Sequence, residues 1–327
     1  PSLPDNPAAW IGILLALLGL AYKVSAVPMH FYIADVYQGA AAPISGMLSY
    51  VPKFAGLIAM AKVLALIGWP LHGSFFWLVW LMAAVTMTVG NALALMQDNV
   101  KRMLAYSSVA HSGYMLMGLL VGPGTQGGAL QDGLAGLLFY IVAYGIMNIG
   151  AFAVIGYLAD KGREPQLLQD LAGLGRLRPG AAVALSICVF SLLGMPPTIG
   201  FFGKVLLFGS TFSQSQALVY PYNMAAVALV ILALLNTAVS AGYYLRIVGT
   251  AYMRAPEEHI TFPRPSTPVA IGLAACAILV LVIGLRPSRL AGAAGQASRS
   301  VVAATSHQPL AAPPAVAAQP ADEWDAP

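Results

Sequence analysis

The feature that most restricts this chain is a series of long apolar segments, with the charged residues gathered almost entirely in the gaps between them. About 20 apolar residues in an α-helix cross a hydrocarbon core of about 30 Å. Eight segments qualify: Ala8–Met29, Ile44–Gly68, Phe75–Met96, Val100–Val121, Gly133–Ala159, Gly180–Phe212, Tyr222–Met253 and Pro268–Leu285. Composition agrees, since charged residues make up 9% of the 327 and hydrophobic residues 59%. Soluble domains carry about 25% charged residues, so this chain has too few to cover a water-facing surface. That excludes a cytosolic enzyme, a disordered protein and an ordinary nucleic-acid binder. The expected fold is an all-α, polytopic transmembrane bundle over residues 1–290. An Ala/Pro-rich tail, 291–327, follows and is expected to be disordered.

Sidedness follows from Lys and Arg, which favour the cytoplasmic face. Lys101 and Arg102 lie between the third and fourth spans. Lys161, Arg163, Arg176 and Arg178 lie between the fifth and sixth. Arg246, Arg254 and Arg264 surround the end of the seventh. The connections at the opposite end carry none, apart from Arg286, Arg289 and Arg299 in the tail. The rich side is expected to be cytoplasmic, with the Asp160–Pro179 loop on it. Trp10, Trp69 and Tyr252, at span ends, read as interfacial anchors.

Charges inside a span are expensive and need a reason. Lys23, Lys53 and Lys204 each sit beside a helix breaker: Pro28, Pro52, and Pro196-Pro197 with Gly200. Proline has no N–H and leaves the carbonyl four residues back without its helical donor. Broken backbone at membrane depth is tolerated where it is packed in protein or lines a wet cavity. Interrupted helices near the midplane point to a transport site. Lys62 is different. It lies half a turn around the helix from Lys53 and close to Pro70, where it reads as an interfacial anchor.

No Asp or Glu lies well inside a span, so these lysines have no internal carboxylate partner. Desolvation without a counter-ion disfavours a charged amine, which suits it to taking up and releasing a proton. His111, among Ser107, Ser108 and Ser112, is either a hydrogen-bonded packing residue or a proton relay. His30, just past Pro28, is a candidate gate. Cys188 and Cys276 have neither metal-ligand spacing nor a disulfide framework, and read as small buried hydrophobes. Gly122-x-Gly124-x-x-Gly127 follows a membrane span instead of a strand, so it is not a dinucleotide fingerprint. No motif here suits a flavin, haem, iron–sulfur cluster or metal.

Three stretches together resemble one family. They are Tyr22-Lys-Val-Ser-Ala-Val-Pro-Met-His-Phe-Tyr-Ile-Ala-Asp-Val-Tyr-Gln-Gly39 with Pro52-Lys53, then Asn99 to Tyr114, then Gly194-Met-Pro-Pro-Thr-Ile-Gly-Phe-Phe-Gly-Lys204. They are similar to the antiporter-like membrane subunits of proton-pumping NADH–quinone oxidoreductase (complex I), in the branch of its subunit N. The resemblance implies an inverted-repeat helical fold with two broken helices. It also implies Lys23 as a pumping-site lysine, Lys53 as a connecting lysine, Lys204 as the lysine of the second broken helix, and His111 on the axis between the last two. It places NADH, FMN, iron–sulfur clusters and quinone in other subunits, with complex I membrane subunits, lipid and protons as partners and the bacterial inner membrane as location. The chain begins at Pro1 and reads as the C-terminal part of a longer protein, whose upstream helix is expected to supply a glutamate to Lys23. The alternative is a subunit of a multi-subunit cation/proton antiporter.

Overall fold

The computed structural model describes residues 7–124, 128–159, 164–256 and 267–306. Among the described residues, six helices are long and apolar enough to cross a membrane. They are α3 (Ala42–Ile67), α4 (Gly73–Leu95), α5 (Val100–Val121), α6 (Gly133–Tyr157), α10 (Tyr222–Met253) and α11 (Thr267–Leu285). The remaining two expected spans are each divided. The first is α1 (Pro7–Val24), a turn region, then α2 (Ile33–Gly39). The second is α8 (Pro179–Leu193) and α9 (Ile199–Ser215), joined by residues 194–198 and preceded by the short α7 (Leu174–Leu177). Seven of these match the expected spans within a few residues; the first continues through α2 to Gly39, ten residues past the expected Met29.

The breaks follow from local chemistry. In an unbroken helix the Val24 carbonyl would accept from residue 28 and the Leu193 carbonyl from residue 197; both are proline and have no N–H to give. Ser25 closes α1 with φ 62°, and Gly194 closes α8 with φ 93°. The second value is one glycine adopts without a Cβ penalty. The helix of the first span therefore stops at Val24, before the expected Met29, and resumes as α2. Pro52, by contrast, does not break its helix. α3 runs through it from Ala42 to Ile67, held between α1 and α6, which pack along it.

α5 is the hub, buried inside the bundle along nearly its whole length. Its tightest neighbour is α4. A Cβ on Gly113 would stand 2.5 Å from the Met87 nitrogen, and one on Gly90 would stand 2.5 Å from the Ala110 nitrogen. Small residues at such crossings let membrane helices approach closely, where packing takes over the role the hydrophobic effect plays in water.

The charges gather at one end. Arg102 pairs with Asp35 at 2.5 Å and Arg246 with Asp98 at 2.6 Å. The buried Lys101 pairs with Glu164. Val100 N donates to Gln166 O and Leu168 N to Asp98 O, both at 2.8 Å, which pins the 164–171 segment to the start of α5. At the opposite end Trp69 donates to Leu119 O, Gly73 N to the Tyr222 hydroxyl, and Gln214 to Gly122 O. Trp69 is thus a packed, hydrogen-bonded residue as well as a span-end aromatic. Of the basic residues that set the sidedness, Lys161, Arg163 and Arg264 lie outside the described residues. So does 307–327 of the tail. The part before it is helical: α12 (Ser288–Ser306) packs on α6 and α3, and Ser298 donates to Asp132 at 3.0 Å.

Candidate functional site

The middle of the bundle holds a line of polar side chains in apolar surroundings. At 1.5 Å per residue Lys53 is about 16 Å from the start of α3, near mid-depth, and it is 1% exposed. Its amine donates to the Ser108 carbonyl at 2.5 Å and to the Ser112 hydroxyl at 2.8 Å. The Ser112 hydroxyl in turn reaches the Val24 carbonyl at 2.8 Å, the acceptor that Pro28 leaves open. The Lys204 amine donates to the Leu193 carbonyl at 2.8 Å, the acceptor that Pro197 leaves open. Each helix break therefore supplies a backbone acceptor to the same polar line.

Between the lysines lies His111, 2% exposed. Its Nδ1 pairs with the Tyr140 hydroxyl at 2.7 Å and its Nε2 with the Tyr244 hydroxyl at 2.9 Å. The Tyr244 hydroxyl also pairs with Ser107 at 2.5 Å. Aromatic rings bridge the gaps on either side. The Tyr144 ring lies 5.9 Å from the Lys53 amine and 5.3 Å from the His111 ring. The Tyr114 ring lies 5.2 Å from the Lys204 amine and 5.8 Å from the His111 ring. A ring face stabilises a cation in a desolvated site. Beyond Tyr114, Asn91 donates to its hydroxyl at 3.1 Å and to Asn236 Oδ1 at 3.1 Å, and accepts from the Tyr243 hydroxyl at 2.9 Å.

Among the described residues, all three carboxylate–cation pairs lie at the charged end, so Lys53 and Lys204 have neutral partners only. Lys53, His111 and Lys204 are brought together. Lys23 is not: its side chain is exposed on the outer surface of the bundle, while the carbonyl of its neighbour Val24 enters the line. His30 sits in the turn between α1 and α2, and its Nδ1 is unpartnered. Lys62 is exposed on the far side of α3 from Lys53.

Tyr140, Tyr144, Asn91, Asn236, Tyr243 and Tyr244 were not singled out from the sequence. A signal was present for part of this set. Tyr140, Tyr144 and Asn148 stand at i, i+4 and i+8, one face of a helix, in a span notable from sequence only for lacking charge.

A family model described as "NADH:quinone oxidoreductase/Mrp antiporter, TM" matches residues 2–245. The NADH-quinone oxidoreductase subunit N of Trichlorobacter lovleyi is 42% identical over 298 residues, covering 91% of this chain and 58% of that protein. A chain of respiratory complex I from Thermus thermophilus with bound aureothin aligns with a TM-score of 0.70 at 32% identity, covering 88% of this chain and 59% of that one. A chain of the Mrp complex from Dietzia sp. DQ12-45-1b gives a TM-score of 0.74 at 22% identity, covering 92% and 61%, a likeness of fold alone. The chain thus spans less than two thirds of the length of these relatives.

Proposed function

The chain belongs to the NADH:quinone oxidoreductase/Mrp antiporter transmembrane family, and from that premise we propose that it is a proton-translocating, subunit-N-like membrane component of a bacterial NADH–quinone oxidoreductase. Its location is the inner membrane, which it crosses many times. NADH oxidation and quinone reduction belong to other subunits, which hold the flavin, the iron–sulfur clusters and the quinone. This chain moves protons in response, with those membrane subunits as its partners.

The observation that carries this reading is the line from Lys53 through His111 to Lys204 at mid-depth, without a carboxylate along it among the described residues. A desolvated amine with only neutral partners binds a proton weakly enough to pass it on. The imidazole has one proton-accepting and one proton-donating nitrogen, and can take a proton on one side and release it on the other. Lys23, on the outer surface beside the α1 break, is assigned the end of the line opposite Lys204.

The test is proton uptake per NADH oxidised in vesicles carrying the assembled complex. Lys53→Ala removes the titratable group. Lys53→Arg keeps the charge, but its guanidinium does not release a proton at neutral pH. Both should lower the ratio, and Lys62→Ala should leave it unchanged. A normal ratio in assembled Lys53→Ala complex overturns the role of Lys53. Sodium-for-proton exchange independent of NADH would instead assign the chain to the antiporter side of the family.

A further inference from the structure

The two cysteines of the chain, Cys188 and Cys276, are far apart in sequence but meet in the fold. Cys188 lies on α8 and Cys276 on α11, and these helices pack on α6 and on each other. Each cysteine stands nine residues past the charged-end start of its helix, about 14 Å along it at 1.5 Å per residue. The meeting point is Gly150 of α6. A Cβ added there would stand 2.6 Å from the Cys188 sulfur, 3.9 Å from the Cys188 Cβ and 3.1 Å from the Cys276 Cβ. Both side chains converge on one spot, which a side chain at position 150 would fill. A disulfide needs Cβ atoms about 3.5–4.5 Å apart. Two Cβ atoms at those distances from a common point can meet that spacing, and a change of χ1 at Cys276 turns its sulfur toward Cys188. Both thiols are free in the structure.

The two thiols differ in what can reach them. Cys188 is buried among the helices, and Cys276 is half-buried. α11 is peripheral: its buried residues are Leu273, Ala277, Val280 and Gly284, while Ile271, Ile278 and Val282 are exposed along its length. An exposed apolar helix face at this depth meets hydrocarbon. A reagent dissolved in the bilayer therefore reaches Cys276 first, with Cys188 behind it.

We propose that Cys188 and Cys276 form an oxidisable dithiol, which a lipid hydroperoxide converts to a disulfide across Gly150. The Cys276 sulfur attacks the terminal oxygen of the hydroperoxide. The O–O bond breaks, the lipid alcohol leaves with the thiol proton, and Cys276 becomes a sulfenic acid. The Cys188 sulfur then attacks the Cys276 sulfur. The S–S bond forms, and water leaves with the second thiol proton. Two electrons pass from the thiol pair to the O–O bond. The new bond fastens α11 to α8, the half-helix whose Leu193 carbonyl holds the Lys204 amine.

The test uses the full-length protein in its native membranes. These are treated with cumene hydroperoxide, alkylated, digested without reductant and read by mass spectrometry. The parent should give the Cys188 and Cys276 peptides joined, two hydrogens lighter than the free pair, and a lipid-soluble phosphine should separate them. Hydrogen peroxide at the same concentration should form the link at least about tenfold more slowly, because entering hydrocarbon costs its hydroxyl groups their hydrogen bonds to water. Cys188→Ser removes the resolving thiol, so Cys276 should go on to sulfinic acid. Cys276→Ser should leave the buried Cys188 a free thiol. Two alkylated thiols in the treated parent, or sulfinic acid on Cys276 with Cys188 present, would overturn the pair. A link that forms as fast with hydrogen peroxide would overturn the lipid hydroperoxide as its oxidant.

Discussion

The Ser112 hydroxyl accepts from the Lys53 amine at 2.8 Å and stands 2.8 Å from the Val24 carbonyl. One hydroxyl on α5 thus joins the lysine of an unbroken helix to the end of a broken one. A hydroxyl can donate and accept at once, so Ser112 ties the first break to the polar line. That contact puts the α1 break, Lys53 and, one residue away on α5, His111 at one depth.

His111 is the first test of the line. His111→Phe fills the same space but leaves the Tyr140 hydroxyl, a buried group bonded to the imidazole, without that partner. The stability loss should be about 2 kcal/mol, read as a lower thermal midpoint of the complex in detergent. Tyr140→Phe added to it removes the orphan and should restore most of that loss. Proton uptake should stay low in both. Uptake that recovers together with stability would make His111 a packing residue.

Sidedness can be read by labelling. With Cys188 and Cys276 replaced by alanine, Gln169→Cys at the charged end and Gln216→Cys at the other end place single thiols at exposed positions. An impermeant thiol reagent added from the periplasm should label Gln216→Cys and leave Gln169→Cys unmodified, because Lys and Arg favour the cytoplasmic side. The reverse pattern inverts the orientation.

The Lys101–Glu164 pair is buried, with side chains 4% and 14% exposed, and Glu164 also accepts from Ala42 N at the start of α3. Removing one partner of a buried pair strands the other charge. Glu164→Gln should therefore destabilise by about 3 kcal/mol. Adding Lys101→Met should recover a large part of that loss in a double-mutant cycle. Additive losses would show that the pair is not coupled.

Gly113 packs against the α4 backbone with no space for a methyl group. Gly113→Ala should force α4 and α5 apart and destabilise by about 1–3 kcal/mol. Gly249→Ala on α10, where nothing lies within 4 Å of the added carbon, should be neutral or slightly stabilising. Equal midpoints for the two variants would contradict the close crossing.

Features that depend only on short stretches of chain were legible from the residues alone. Span length, the charge asymmetry between the two ends, and the loss of helix at Pro28 and at Pro196-Pro197 are local consequences of hydropathy and of a missing N–H. They set the eight spans and three candidate breaks; that two helices are broken is what the family resemblance implied. Tertiary structure decided everything that depends on which helix is the neighbour. Pro52 has the same chemistry as Pro28, yet α3 passes through it, packed between α1 and α6. Residues 288–306 have a tail-like composition but form a helix that packs on α6. Lys23 and Lys53 look alike in sequence, but only Lys53 points into the bundle. The carbonyls freed by the prolines could be foreseen, but not that Ser112 and Lys204 would take them, because a hydrogen-bond partner from another helix is fixed by packing across the bundle and leaves no periodic trace along the chain.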